Sequence, residues 1–127
     1  MEYKGSEMVE ATRPPGKTTI APNVLLTIAR LTTLAVEGVS HMSHFPGGFN
    51  RIFQRGYDEG VQVRIEGDYV YADLYVILEH DVNVREISRE IQNEVSRAIS
   101  EMVGMTVGRV NVHIEDINYI NEVAAEE

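Results

Sequence analysis

The chain has 127 residues, a net charge of −9, 43% hydrophobic content and no cysteine. That length fits one domain with a small core. The missing cysteines exclude a disulfide framework, a thiolate metal site and a cysteine nucleophile, and the acidic balance repels phosphate backbones and argues against nucleic acid.

Residues 1–16 mix charges with Gly and the Pro14-Pro15 pair and read as a disordered tail. Their Glu2, Glu7 and Glu10, with no apolar run, are not the pattern of a signal peptide. No stretch of about 18 apolar residues follows, so no direct membrane span is expected. Residues 17–117 are expected to form a single α+β domain, and residues 118–127 an acidic tail. The last ten residues carry −3 and the first sixteen −1, which leaves −5 on the core.

Thr18, Thr19 and Ile20 are expected as a short leading strand. Residues 22–36 read as a first helix, with Pro22 at the position where a missing N–H is harmless. Ile28, Ala29, Thr32, Ala35 and Val36 form its expected inner side, and Gly38 ends it.

Residues 41–60 form a long connection, which is uncommon in compact domains. All three phenylalanines of the chain fall here, as Phe45, Phe49 and Phe53, together with Ile52, Arg51 and Arg55. Two readings stay open for this segment. It seals an edge of the core, as aromatics usually do, or it docks a partner or membrane surface on a Pro46-Gly47-Gly48 hinge.

A hairpin follows. Val61, Val63 and Ile65 alternate with polar residues, as do Val70, Ala72, Leu74, Val76 and Leu78. Gly67-Asp68 between the two runs signals a tight turn, because glycine takes positive φ without a Cβ clash. A two-residue loop pairs Glu66 with Tyr69, Ile65 with Val70, Val63 with Ala72 and Val61 with Leu74. The outward side then carries Tyr69, Tyr71, Tyr75 and Ile77. Two helices cover only one sheet face, so this side is either a self-association face or a solvated face of cross-strand tyrosines.

Asn83 caps a second helix, with Glu86 three residues on. Ile87, Ile91, Val95, Ala98, Ile99 and Met102 make one apolar stripe, and Gly104 suits the left-handed C-terminal position. Glu86–Arg89, Glu94–Arg97 and Arg97–Glu101 are spaced to pair along its solvated face. The last strand points Val110, Val112 and Ile114 inward and Asn111, His113 and Glu115 outward. These elements give an α+β two-layer sandwich. Its two helices lie on one face of a small mixed three- to four-stranded sheet, in the order (β)αββαβ.

No catalytic constellation is present. His41 and His44 lack a third ligand for a metal. Gly47-Gly48 lacks the Lys-Ser/Thr of a phosphate loop, and neither a nucleophile elbow nor a zinc-protease motif occurs. No catalytic residue, cofactor or metal is therefore expected. The rival classes are a small-ligand carrier or accessory enzyme subunit, which needs a pocket with converging polar groups, and an RNA-binding module, which needs a basic patch.

With these elements placed, the chain resembles the alkaline shock protein twenty-three / Gls twenty-four family of bacterial envelope stress proteins. The resemblance lies in GKTTIAPNV at 16–24, VEGVSHM at 36–42, GVQV at 60–63, IQNEV at 91–95, MVGMTV at 102–107 and VNVHI at 110–114. It implies a small cytoplasmic α+β protein without enzymatic activity, acting in alkaline and cell-wall stress. It also implies self-association to a homo-oligomer, and attachment to the membrane through a separate anchor protein.

Overall fold

The computed structural model describes residues 15–44, 57–58 and 60–119. Helix α1 spans Pro22–Leu34, and strands β1 and β2 span Val39–Met42 and Tyr57–Asp58. Strands β3 (Val61–Glu66) and β4 (Tyr69–Glu79), helix α2 (Val84–Val103) and strand β5 (Thr106–Asn118) complete the order. The α+β sandwich expected from the sequence is what forms, with both helices on one face of a mixed sheet.

β4 is the spine of that sheet. Along one edge it pairs in parallel with β5 from Tyr69 to Glu79. Along the other it pairs antiparallel with β3 over Tyr69 to Leu74 and then with β1 over Val76 to Leu78. β1 and β3 therefore share one edge end to end. Their junction lies at Tyr75, whose N–H donates to Gly60 O at 2.8 Å and whose O accepts from Ser43 N–H at 2.7 Å. The hairpin register is the one that the alternation predicts, Glu66 with Tyr69 through Val61 with Leu74. A slip by one residue would turn the apolar set outward.

The core follows from that register. Val70, Ala72, Leu74, Val76 and Leu78 of β4 are fully buried against Leu25 and Ala29 of α1 and Ile91, Val95 and Ile99 of α2. Each large aliphatic side chain buried in this way contributes roughly 1.5–3 kcal/mol. Asn83 Oδ1 accepts from the Glu86 N–H at 3.1 Å, and Gly104 closes the helix in the left-handed region at φ 80°. These two ends hold α2 in the rotation that aims its stripe at the sheet.

Four expectations are corrected. Thr18, Thr19 and Ile20 join no ladder of the sheet, and two strands that were not expected, β1 and β2, follow the first helix, so the sheet has five strands rather than three or four. α1 stops at Leu34, and Thr33 rather than Thr32 or Ala35 is buried, its hydroxyl donating to Ala29 O at 2.7 Å. Met102 is 70% exposed, as the stripe rotates off the sheet in the last turn of α2. β5 takes bulges at Gly108 and Glu115, so beyond Ile114 the outward series continues at Asp116. The expected docking residues Phe45, Phe49, Arg51, Ile52, Phe53 and Arg55 lie outside the described residues. So do the tails, except for Pro15, Gly16, Asn118 and Tyr119.

Candidate functional site

The helices leave one sheet face open, and its geometry follows from strand alternation. With Val61 and Val63 of β3 and the even-numbered residues of β4 in the core, and Ile65 at the hairpin end left exposed, Tyr69, Tyr71, Asp73, Tyr75 and Ile77 must point the other way. Tyr69 is 50% exposed, and the other four are half-buried. All four residues expected at this face are therefore brought onto one row of β4.

Neighbours on β3 and β5 hold the row in place. The Arg64 guanidinium stands over the Tyr71 ring, 4.6 Å from its centroid, and its Nε donates to Glu66 Oε2 at 2.8 Å. Such a stacked cation contributes roughly 0.5–1 kcal/mol at an exposed site. On the other side the Tyr71 ring lies across the bulge at Gly108. A Cβ built there would approach Tyr71 Cε1 to 2.5 Å, so the bulge glycine is what lets the ring lie down.

One level along, Asp73 Oδ1 accepts from Asn111 Nδ2 at 3.1 Å and from His113 Nε2 at 3.0 Å. A carboxylate only accepts, so His113 Nε2 is the donor in this contact. The His113 ring stacks on Tyr75, with centroids 4.4 Å apart and planes 12° apart. Burial first, then the charges of Asp73 and Glu115, push the Tyr75 hydroxyl above its usual range. Tyr75 thus stays a neutral phenol at physiological pH.

This knot of Asp73, Asn111, His113 and Tyr75 was not legible as a cluster in the sequence. Asn111 and His113 were placed outward, but nothing local says that β5 returns parallel to β4 and in register with Asp73. The same crossover carries Arg109 and Asp116 onto the face.

The rest of the surface offers little chemistry. Among the described residues no group of three or more His, Asp or Glu is placed to hold a metal ion. His41 bonds to Ser40 at 2.9 Å, and His80 lies 3.3 Å from Asp81. An open groove of about 260 Å³ runs between the start of α2 and β5, lined by Val84, Arg85, Ser88, Arg89, Gln92 and Ile114. Gln92 is held by its bond to Val110 O at 3.1 Å. Glu94–Arg97 forms as expected at 2.6 Å, whereas Arg89 lines the groove and makes no bond to Glu86. No described helix is long and apolar enough to cross a membrane.

Comparison with known proteins finds the following similarities. The model of the alkaline shock protein 23 family, described by a cell envelope-related function, matches residues 10–119. The uncharacterized protein Spy1535 of Streptococcus pyogenes serotype M6 is 35% identical over 105 residues, covering 80% of this chain and 79% of the relative. The uncharacterized protein YloU of Bacillus subtilis is 22% identical over 94 residues, covering 73% and 78%. Among solved structures, MamM-CTD 215-293 aligns with a TM-score of 0.47 at 16% identity, over 74% of this chain and 96% of that one.

Proposed function

The chain belongs to the alkaline shock protein 23 family, whose function is cell envelope-related, and on that premise we propose that it is a non-enzymatic scaffold of the envelope stress response. It acts by self-association and partner docking. One observation carries this reading: the sheet face opposite the helices presents Tyr69, Tyr71, Tyr75 and Ile77 in a single row, with Arg64 over the Tyr71 ring and His113 stacked on Tyr75. Aromatic side chains held in one rotamer lose little entropy on association, and tyrosine is enriched at interfaces. The occupant of the face is a second copy of the chain.

A second contact is assigned to residues 45–55. Their Phe45, Phe49 and Phe53 with Ile52, Arg51 and Arg55 have the composition of a segment that docks a membrane anchor protein, and so would hold a cytoplasmic scaffold at the membrane.

The test is sedimentation of the Tyr71→Asp/Tyr75→Asp variant beside wild type. Wild type is expected to gain mass with concentration, and more so with added salt, because copies carrying −9 each repel one another. The variant is expected to stay monomeric. Equal masses at every concentration, or a wild type that is monomeric throughout, would reduce the face to a solvated sheet.

A further inference from the structure

We propose that two copies pair open face to open face about a two-fold axis that crosses β4 at right angles, level with Leu74, so that Arg109 of each meets Asp116 of the other. The inference rests on the self-association reading above and specifies its geometry.

The face is polarised along β4. Arg64 and Arg109 both stand level with Tyr71, at one end. Arg64 is engaged by Glu66 and the Tyr71 ring, whereas Arg109 has no partner among the described residues. Asp116 stands level with Ile77 at the other end, and Glu79 lies just beyond it. Among the described residues, Asp116 Oδ1 accepts only the N–H of the adjacent Ile117, at 2.8 Å. The charge of Glu115, in the bulge beside Asp116, also reaches Tyr75. With Arg64 offset by Glu66, Arg109 is the cation left unpaired among the described residues at one end of the face, and Asp116 and Glu79 make the other end negative.

Two face-to-face arrangements of identical sheets are open. An axis along the strands brings each level onto itself and exchanges the flanks, so Arg109 meets Arg64 and Tyr71 meets Tyr71. An axis across the strands keeps the flanks and reverses the levels. Tyr71 then meets Ile77, Asp73 comes opposite Tyr75, and Arg109 on β5 comes opposite Asp116 on β5. Every contact occurs twice, as a two-fold interface requires. Only the second arrangement joins unlike charges and sets an aromatic ring on an aliphatic side chain.

The distances allow it. The Tyr71 and Ile77 levels are about 20 Å apart at ~3.3 Å per residue, so each lies about 10 Å from the axis. Stacked sheets sit about 10 Å apart with strands within about 30° of one another. That crossing displaces the Arg109 level sideways by a few ångströms, within the reach of a guanidinium.

The experiment is sedimentation at fixed ionic strength of Arg109→Asp, Asp116→Arg and the double variant, with melting curves confirming that all three fold. Each single variant sets like charges against each other and is expected to weaken association by about tenfold or more. The double variant restores opposite charges and is expected to return to within about threefold of wild type. Asp116→Arg is decisive, because it lowers the overall negative charge. Global repulsion alone predicts tighter association, whereas the proposed register predicts weaker. A tighter Asp116→Arg variant, or a double variant that stays weak, overturns the register. If the charge variants behave like wild type while Tyr71→Asp/Tyr75→Asp is monomeric, the face stands and this register falls. If the tyrosine variant still associates, both fall.

Discussion

Replacing Ile91 by Asp is expected to leave the chain unfolded in buffer. Ile91 has no exposed surface and lies in the middle of the stripe that α2 sets on the sheet, with Val95 and Ile99 following. The change removes an aliphatic side chain worth roughly 2–3 kcal/mol of burial. It also places a carboxylate where no described side chain offers a donor or an opposite charge. An unpaired buried charge costs a further several kcal/mol. Domains of this size are stable by only about 5–15 kcal/mol, so the sum consumes most or all of the margin. Circular dichroism and a urea titration check it. A soluble Ile91→Asp variant that melts cooperatively near the wild-type temperature would show that α2 does not bury this face.

Gly60→Ala is expected to be the most damaging single-methyl change. Gly60 sits at φ 74°, where an L side chain is strained by about 1–2 kcal/mol. Its added Cβ would lie 2.6 Å from Ser43 O, 2.9 Å from Met42 Cβ and 2.9 Å from Tyr75 O. Two of the three neighbours are backbone atoms in the junction that joins β1 and β3 to the spine strand, so they cannot rotate away. Forced overpacking of this kind adds about 1–3 kcal/mol. A total near 3 kcal/mol should lower the Tm by more than about 10 °C. The same substitution at Gly67 meets no atom within 4 Å, although its φ is 62°. Gly67→Ala therefore separates conformational strain from crowding and is expected to cost much less. Equal losses at the two sites would place the whole effect in φ and remove the junction from the account.

Local signals carried much of this fold. The hairpin register was readable because side-chain alternation and a two-residue turn leave one solution that keeps Val61, Val63, Val70, Ala72 and Leu74 together. The ends of α2 were readable because Asn83 and Gly104 act on the backbone beside them. β1 was missed. Val39 to Met42 is short and bulged, and it is a strand only because the second half of β4 offers an edge that β3 leaves vacant. Tertiary context decides such a segment, not propensity.

At the open face the same division holds. The tyrosine row was legible from period-2 alternation. Arg109, Asp116 and the Asp73–His113 contact were not, because they depend on a parallel return across about forty residues and on two bulges that reset the alternation of β5. A bulge at Gly108 can be suspected from an isolated glycine in a strand pattern. The one at Glu115 leaves no such mark.

The central claim is that the open sheet face, and not the helical side, is where copies meet. The natural sequence has no cysteine, so a single introduced thiol reports on one position alone. Asn111→Cys places it on the open face, and Glu90→Cys on the exposed side of α2. Each variant is treated with a short bis-maleimide at a concentration where wild type associates, and the products are read on a denaturing gel. The account predicts a covalent dimer from Asn111→Cys and monomer from Glu90→Cys. Monomer from Asn111→Cys, or dimer formed equally well from Glu90→Cys, would contradict it.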